Sequence, residues 1–208
     1  MRTEVIDASP ASIARAAELL SDGGIVAFPT ETVYGLGARA DHRAAVKRIF
    51  EAKGRPPDKP LILHVADVAQ ARSATVGWDD RAQAIADAFW PGPVSIVLRA
   101  APWVPPEVTA GGDTVAVRAP GHEVALALIG ACGHPIAAPS ANRSGARPPT
   151  TAAGVLRTLD GRIPLVVDGG ETPVRTPSTL VSLLGEKTTV LRSGSITEAE
   201  IERVLRSG

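Results

Sequence analysis

The sequence predicts a single α/β domain built on a mixed parallel/antiparallel sheet, and three observations carry that expectation. The first is size and balance: 208 residues, 44% hydrophobic and 21% charged, suffice for one substantial core and exclude a disordered chain. The second is composition. Seven aromatics (three Phe, three Trp, one Tyr) stand against 20 glycines and 18 prolines, so Ala, Val, Leu and Ile must pack the core between many tight turns. The third is rhythm: short apolar runs alternate with helix-periodic segments, without a long polar linker or an internal repeat.

Each element has its own local reason. Ser9 and Pro10 read as cap and first position of a helix over residues 10–21, with Ile13, Ala17 and Leu20 at helical spacing and Gly23-Gly24 closing it. Residues 25–28 form a buried strand, 29–32 a turn, and 33–38 a second extended segment containing Tyr34. Asp41 is expected to cap a helix that turns Val46, Ile49 and Phe50 inward and ends at Gly54. A basic loop over 53–60 leads to a strand at 61–65. A helix at 79–89, a rigid Pro-Gly-Pro turn at 91–93 and strands at 94–98 and 115–118 follow. The second half continues with helices at 122–132 and 151–159 and strands at 136–138, 165–167, 179–183 and 188–191. Thr197 and Glu200 make a capping box for the last helix. The longest irregular stretch, 139–150, is of a length that usually serves function.

Charge and cysteine usage narrow the classes. Lys+Arg and Asp+Glu number 22 each, which gives no support for general adhesion to nucleic acid or to a membrane surface. Locally, residues 39–59 carry seven basic side chains against three acidic ones, a place for an anion to dock. The single cysteine, Cys132, excludes an internal disulfide framework and a Cys-cluster zinc site. No apolar run reaches the ~20 residues of a membrane span and residues 1–10 lack signal-peptide character, so a cytoplasmic protein without membrane contact is expected.

The common nucleotide and hydrolase motifs are absent: no Walker loop, no Gly-x-Gly-x-x-Gly, no His-Glu-x-x-His and no Gly-x-Ser-x-Gly. What remains is a set of loops that each follow a short strand: Pro29 to Gly35, Lys53 to Leu61, Ala138 to Gly145, and Leu191 to Gly194. In α/β sheets such loops gather at one edge, where ligands bind. Singly, each has an ordinary explanation. Ser140 and Asn142 suit a turn bonding its own backbone, Thr30 and Thr32 are strand-end hydroxyls, His64 alternates with apolar neighbours, and Arg118 and Arg192 end strands.

Jointly, the Pro-Thr-Glu-Thr-Val-Tyr-Gly-Leu-Gly segment, Lys-Gly-Arg-Pro, Phe89-Trp90-Pro91-Gly92-Pro93, Val115-Ala116-Val117-Arg118, Ala-Pro-Ser-Ala-Asn-x-Ser-Gly, Asp168-Gly169-Gly170 and Leu-Arg-x-Gly resemble the YrdC family. These seven blocks run in order from Gly23 to Gly194. The resemblance implies an open, twisted mixed α/β sheet with a basic concave cavity, and a synthase that joins L-threonine, bicarbonate and ATP into threonylcarbamoyl-AMP and pyrophosphate. It implies a catalytic tetrad of Lys53, Arg55, Ser140 and Asn142. Arg55, Lys59, Thr114, Ser140, Asn142 and Arg192 would bind ATP, and Thr32, His64, Arg118, Ala138 and Ser178 threonine, with Tyr34 a weaker candidate. Mg²⁺ is expected with ATP, its protein ligands unassigned. The product would serve threonylcarbamoyl modification of tRNA adenosine 37 through downstream transfer machinery, with a tRNA contact through the basic cavity. Departures are Arg175 and Pro177 before Ser178, where members carry Gly and Glu, and Pro148, where they carry serine. Residues 1–208 read as one stand-alone YrdC-like domain without the extra C-terminal domain of longer members.

The residue types suit that chemistry. A carbamate formed from an amine and bicarbonate needs no protein nucleophile; the difficulty is gathering anions, which positioning and electrostatic stabilisation overcome. Arginine offers planar paired donors to phosphate, and lysine a mobile point charge. A related carbamoyl-adenylate or threonylcarbamoyl-hydrolysing enzyme, and a module gripping structured RNA, are the alternative readings. The pairing of Lys-x-Arg with Ser-x-Asn favours a pocket over an RNA module.

Overall fold

The computed structural model describes residues 2–174 and 176–207. Its helices start where a side chain accepts from otherwise unpaired first-turn N–H groups. Ser9 does this for α1 (Pro10–Ser21), His42 for α2 (Arg43–Lys53), Asp67 for α3 (Val68–Ala74) and Asp79 for α4 (Asp80–Phe89). The short α5 (Pro106–Thr109) enters on a proline, and His122 and Thr151 cap α6 (Glu123–Cys132) and α7 (Ala152–Leu159). For α8 (Glu198–Ser207) the expected capping box forms: Thr197 N and Oγ1 donate to Glu200 Oε2 at 2.8 and 2.7 Å, and Glu200 N returns a bond to Thr197 Oγ1.

The first half supplies strands β1 (Glu4–Asp7), β2 (Val26–Phe28), β3 (Gly35–Arg39), β4 (Ile62–His64), β5 (Thr75–Val76) and β6 (Val94–Ala100). From the second come β7 (Thr114–Arg118), β8 (Ile136–Ala137), β9 (Leu165–Asp168), β10 (Thr179–Ser182) and β11 (Thr189–Arg192). They form one mixed sheet in the order β1-β9-β2-β3-β8-β4-β7-β6-β10-β11, with β5 on the far end of β6. Pairs β1–β9, β2–β9, β4–β7 and β6–β10 are parallel, and β2–β3, β3–β8, β4–β8, β6–β7 and β10–β11 antiparallel. The expected mixed α/β sheet is thus observed.

Strands covered on both faces read as continuous apolar runs. In β2, Val26 and Phe28 join α1 and α6 in one apolar cluster, and Ala27 faces the larger cluster that contains α2 and α4 residues.

Three local expectations change. Asp41 does not cap α2: Arg39 draws its carboxylate away (Nε to Oδ1 2.7 Å), and His42 Nδ1 accepts from Ala45 N at 3.2 Å instead. The second extended segment starts at Gly35 rather than residue 33, because Thr30 Oγ1 folds residues 30–33 into a turn by accepting from Thr32 N and Val33 N. Finally, β1, α3, β5 and α5 are additional to the expected elements. At Gly54, φ +57° closes α2 in the left-handed region that glycine tolerates. That turn leaves Lys53 buried with the helix and sends Arg55 into the following loop.

Candidate active site

Strand alternation and register build the centre of the site. Ile62 and His64 on β4, and Thr114, Ala116 and Arg118 on β7, recur at the two-residue period that puts side chains on one face. Ile62 lies opposite Ala116 and His64 opposite Arg118. Over them opens a cavity of about 550 Å³, closed by the 30–35 turn, the Ala138–Ser140 segment, and Ser178 and Arg192 from the β10–β11 ribbon. Arg55, Arg118 and Arg192 line it, and among the described residues no Asp or Glu does. Such a volume suits small-molecule ligands.

At one end everything is buried. Arg118 is 3% exposed; its Nε donates to Gly92 O at 3.0 Å and its Nη1 to Thr32 Oγ1 at 3.3 Å. Its Nη2 lies 2.5 Å from Oε2 of Glu31, a carboxylate buried behind the cavity wall. That contact is an ion pair without hydrogen-bond alignment, and Nη2 has no aligned partner among the described residues. His64 Nδ1 is likewise buried without a partner. Burial, reinforced by the Arg118 charge, pushes the imidazole pKa down to about 3, so His64 is neutral across the physiological range. Buried polar atoms left unpaired in a cavity wall mark where a ligand completes the bonding.

Ser178 joins this end to the other. Its hydroxyl meets the buried Ser95 Oγ at 2.9 Å, and Arg192 donates to Ser178 O through Nε (3.1 Å) and Nη2 (2.9 Å) and to its Oγ at 3.1 Å. Burial and the Arg118 charge both lower the Arg192 pKa, so the two guanidiniums act on one enclosed space.

The other end is borne by loops. Arg55 lines the cavity while bonding its own loop, Nη2 to Pro60 O at 3.0 Å. Ser140 lines it too, its backbone bridged to Gly35. Lys53 does not. Only 2% exposed, it donates its ammonium to the carbonyls of Ser140 and Asn142 and accepts from Ser144 N at 2.9 Å, clamping the Ser-Ala-Asn loop to the end of α2. Burial first, then the Arg55 charge, pushes its pKa down to about 7. Asn142 faces its own loop, Nδ2 donating to Arg143 O (2.8 Å) and Ala146 O (2.7 Å), as the ordinary turn reading expects; Lys59 is exposed off the wall.

Of the residues singled out from sequence, the structure therefore brings Thr32, Arg55, His64, Thr114, Arg118, Ala138, Ser140, Ser178 and Arg192 to one cavity and leaves Lys53, Lys59 and Asn142 off its lining. Tyr34 is buried away from it, its hydroxyl donating to Gly170 O at 2.8 Å. Pro148 and Pro177 both reach the wall, without a side-chain donor, and Arg175 lies outside the described residues. Sequence reasoning missed Glu31, Ser95 and the Gly92 carbonyl. Glu31 at least stood in view, the one charged residue of its segment.

Residues 18–194 match the Sua5/YciO/YrdC family, described as telomere recombination. The chain belongs to this family. Within it, the chain is 48% identical over 204 residues to the threonylcarbamoyl-AMP synthase of Bacillus subtilis, covering 98% of this chain and 59% of the relative. A putative threonylcarbamoyl-AMP synthase of Mycobacterium tuberculosis is 35% identical over 193 residues, 93% of this chain and 88% of the relative. A crystal structure of Pyrococcus abyssi Sua5 complexed with L-threonine superposes with a TM-score of 0.95 at 46% identity, covering 98% of this chain and 61% of that one. The chain thus spans about six tenths of the Bacillus relative and of that Sua5 chain.

Proposed function

We propose that this chain is a threonylcarbamoyl-AMP synthase, converting L-threonine, bicarbonate and ATP to threonylcarbamoyl-AMP, pyrophosphate and water. The observation that carries this reading is the two-ended cavity: the buried Arg118 guanidinium and a His64 Nδ1 unpartnered among the described residues lie opposite Arg55 and the hydroxyls of Thr114 and Ser140. The 46% identity to Sua5, crystallised with L-threonine, supports it.

In this reading Arg118 holds the threonine carboxylate, and Thr32, His64 and Ser178, beside Ala138, meet its hydroxyl and backbone. ATP lies along Thr114, Ser140, Arg55 and Arg192, with Lys59 at the rim. The threonine nitrogen attacks the bicarbonate carbon and water departs; a carbamate oxygen then attacks the α-phosphorus as pyrophosphate leaves. Arg55 and Arg192 stabilise charge passing to the leaving group, and arginine's paired donors suit phosphate oxygens. Lys53 and Asn142 act from behind, setting the loop that presents Ser140. The lining offers hydroxyls but, among the described residues, no carboxylate, and no cluster of three or more His, Cys, Asp or Glu residues could hold a metal. Mg²⁺ carried with ATP would offset triphosphate charge, with Arg55 and Arg192 sharing that task.

The product, a mixed anhydride, passes to machinery that transfers the threonylcarbamoyl group to tRNA adenosine 37, and the arginine-lined cavity offers a tRNA contact. Among the described residues no helix is long and apolar enough to cross a membrane, which supports a cytoplasmic enzyme. The deciding assay incubates the protein with ATP, Mg²⁺, bicarbonate and radiolabelled threonine. Labelled adenylate with stoichiometric pyrophosphate is expected. Pyrophosphate release independent of bicarbonate would indicate simple aminoacyl adenylation instead, and release independent of any amino acid a carbamoyl-transfer enzyme.

A further inference from the structure

Glu31 is a buried charge that the proposed reaction does not use. It is 6% exposed, sits between two cavity-lining threonines and does not itself line the cavity. Its backbone is pinned, with Val174 N donating to Glu31 O at 2.9 Å and Thr172 Oγ1 donating to the adjacent Thr32 O at 3.1 Å. Its carboxyl group packs against the backbone turn at Gly121, where a Cβ would stand 3.5 Å from Glu31 Cδ and 3.3 Å from Gly92 Cα. Neither carboxylate oxygen has an aligned hydrogen-bond donor among the described residues; the carboxylate stands 2.5 Å from Arg118 Nη2 and also acts on His122 through charge.

A guanidinium has five N–H groups. On Arg118, Gly92 O takes one and Thr32 Oγ1 another, and Glu31 stands against Nη2 without taking an aligned bond. A buried cation on the cavity side of a buried anion is thereby held in place with hydrogen-bonding capacity left over. We propose that Glu31 is a positioning residue for the amino acid substrate: its carboxylate fixes the Arg118 guanidinium so that the remaining N–H groups meet the substrate carboxylate in one orientation. The inference rests on the reading that the His64–Arg118 end takes threonine. It adds a residue that never touches substrate and governs its binding through Arg118.

The test measures pyrophosphate release as a function of threonine and of ATP for wild type, Glu31→Gln, Arg118→Met and the double variant. Glu31→Gln keeps the shape and removes the charge. Misplacing a binding group costs on the order of 10 to 100-fold, so threonine KM should rise by that factor while kcat at saturating threonine and KM for ATP stay within about threefold. The double variant should match Arg118→Met alone, because a residue acting through Arg118 has nothing to add once Arg118 is gone. An unchanged threonine KM in Glu31→Gln overturns the proposal, as does a parallel loss in threonine KM, ATP KM and melting temperature, which is the signature of a purely structural role. If Glu31→Gln does not fold, Glu31→Asp decides: it keeps the charge and shortens the reach, so a threonine KM raised without a change for ATP supports the role, and an unchanged one ends it. Arg118→Met leaving threonine KM untouched would instead sink the reading of the site, a different result from a silent Glu31→Gln beside an impaired Arg118→Met.

Discussion

At one end of the cavity His64, Arg118 and Ser178 occupy strands or strand ends and are buried, with His64 Nδ1 unpartnered among the described residues; at the other, Arg55 rides a loop whose residues 56–60 are exposed, donating to the Lys59 and Pro60 carbonyls of that loop. The first end is finished before any ligand arrives. On the proposed reading, the second exchanges the loop carbonyls it meets for phosphate oxygens. Preorganised buried polar groups discriminate sharply because a wrong ligand leaves them unpaired, whereas a loop-borne cation contributes by meeting charge as it develops. On the proposed reading, one cavity thus separates the task of choosing a substrate from the task of activating it.

The sharpest way to break this comparison is valine, which keeps threonine's outline and lacks its hydroxyl. A site built to hydrogen-bond a hydroxyl rejects the analogue lacking it by up to ~10⁴-fold in kcat/KM, and pyrophosphate release at matched concentrations should approach that factor. Comparable rates for the two would refute a preorganised polar end. Next comes Arg55→Ala: loss of one charge-stabilising donor costs on the order of 10² to 10³-fold in kcat, with threonine affinity and melting temperature near wild type. Arg55→Lys should restore only part of the loss, since it lacks the paired planar donors. Serine keeps the hydroxyl and drops one methyl, which a pocket senses by only about 10 to 200-fold, so it should be a poor but measurable substrate. Serine rejected as strongly as valine would mean that the end reads shape and not polarity.

The smallest effect concerns Lys53, the clamp between the two ends. Its folded-state pKa of about 7 lies below the 10.5 of a lysine in the unfolded chain, so between those values the unfolded chain binds the extra proton and stability rises with pH. The two carbonyls that accept from the amine favour the ammonium and temper the effect. Each unit of displacement is worth ~1.4 kcal/mol, or about 3–6 °C in melting temperature for a domain of this size. Wild type should therefore gain stability from pH 7 upward relative to Lys53→Met, measured by parallel thermal melts; identical pH profiles would show that Lys53 stays charged.

What the chain displayed in advance follows from how local each cause is. The helix α1 was legible to the residue because its start signal, Ser9-Pro10, and its stop signal, Gly23, lie at its own two ends. The cap of α2 was misread because Arg39, two residues away, competes for Asp41 and leaves His42 the role. No periodicity betrayed β1: its four residues are an edge strand whose partner, β9, comes from residues 165–168. For the site, residue type and motif order named the wall, but not the direction in which each side chain points. Lys53 and Arg55 flank one glycine and part company at it. Glu31 gained its meaning only when folding set Arg118 beside it.

The strand order also bears on when a site can exist at all. Several sheet neighbours are distant in the chain: β1 and β2 both wait for β9, β3 for β8, and β6 is joined by β10 only after residue 179. Forming such contacts means closing long loops before burial rewards them, which slows folding. During synthesis, Thr32 and His64 emerge early yet acquire the opposite wall only when Ser178 and Arg192 have followed them out of the ribosome. The complete cavity lining therefore exists only after residue 192 has been made, although most of its wall, residues 30–140, is already in the chain by then.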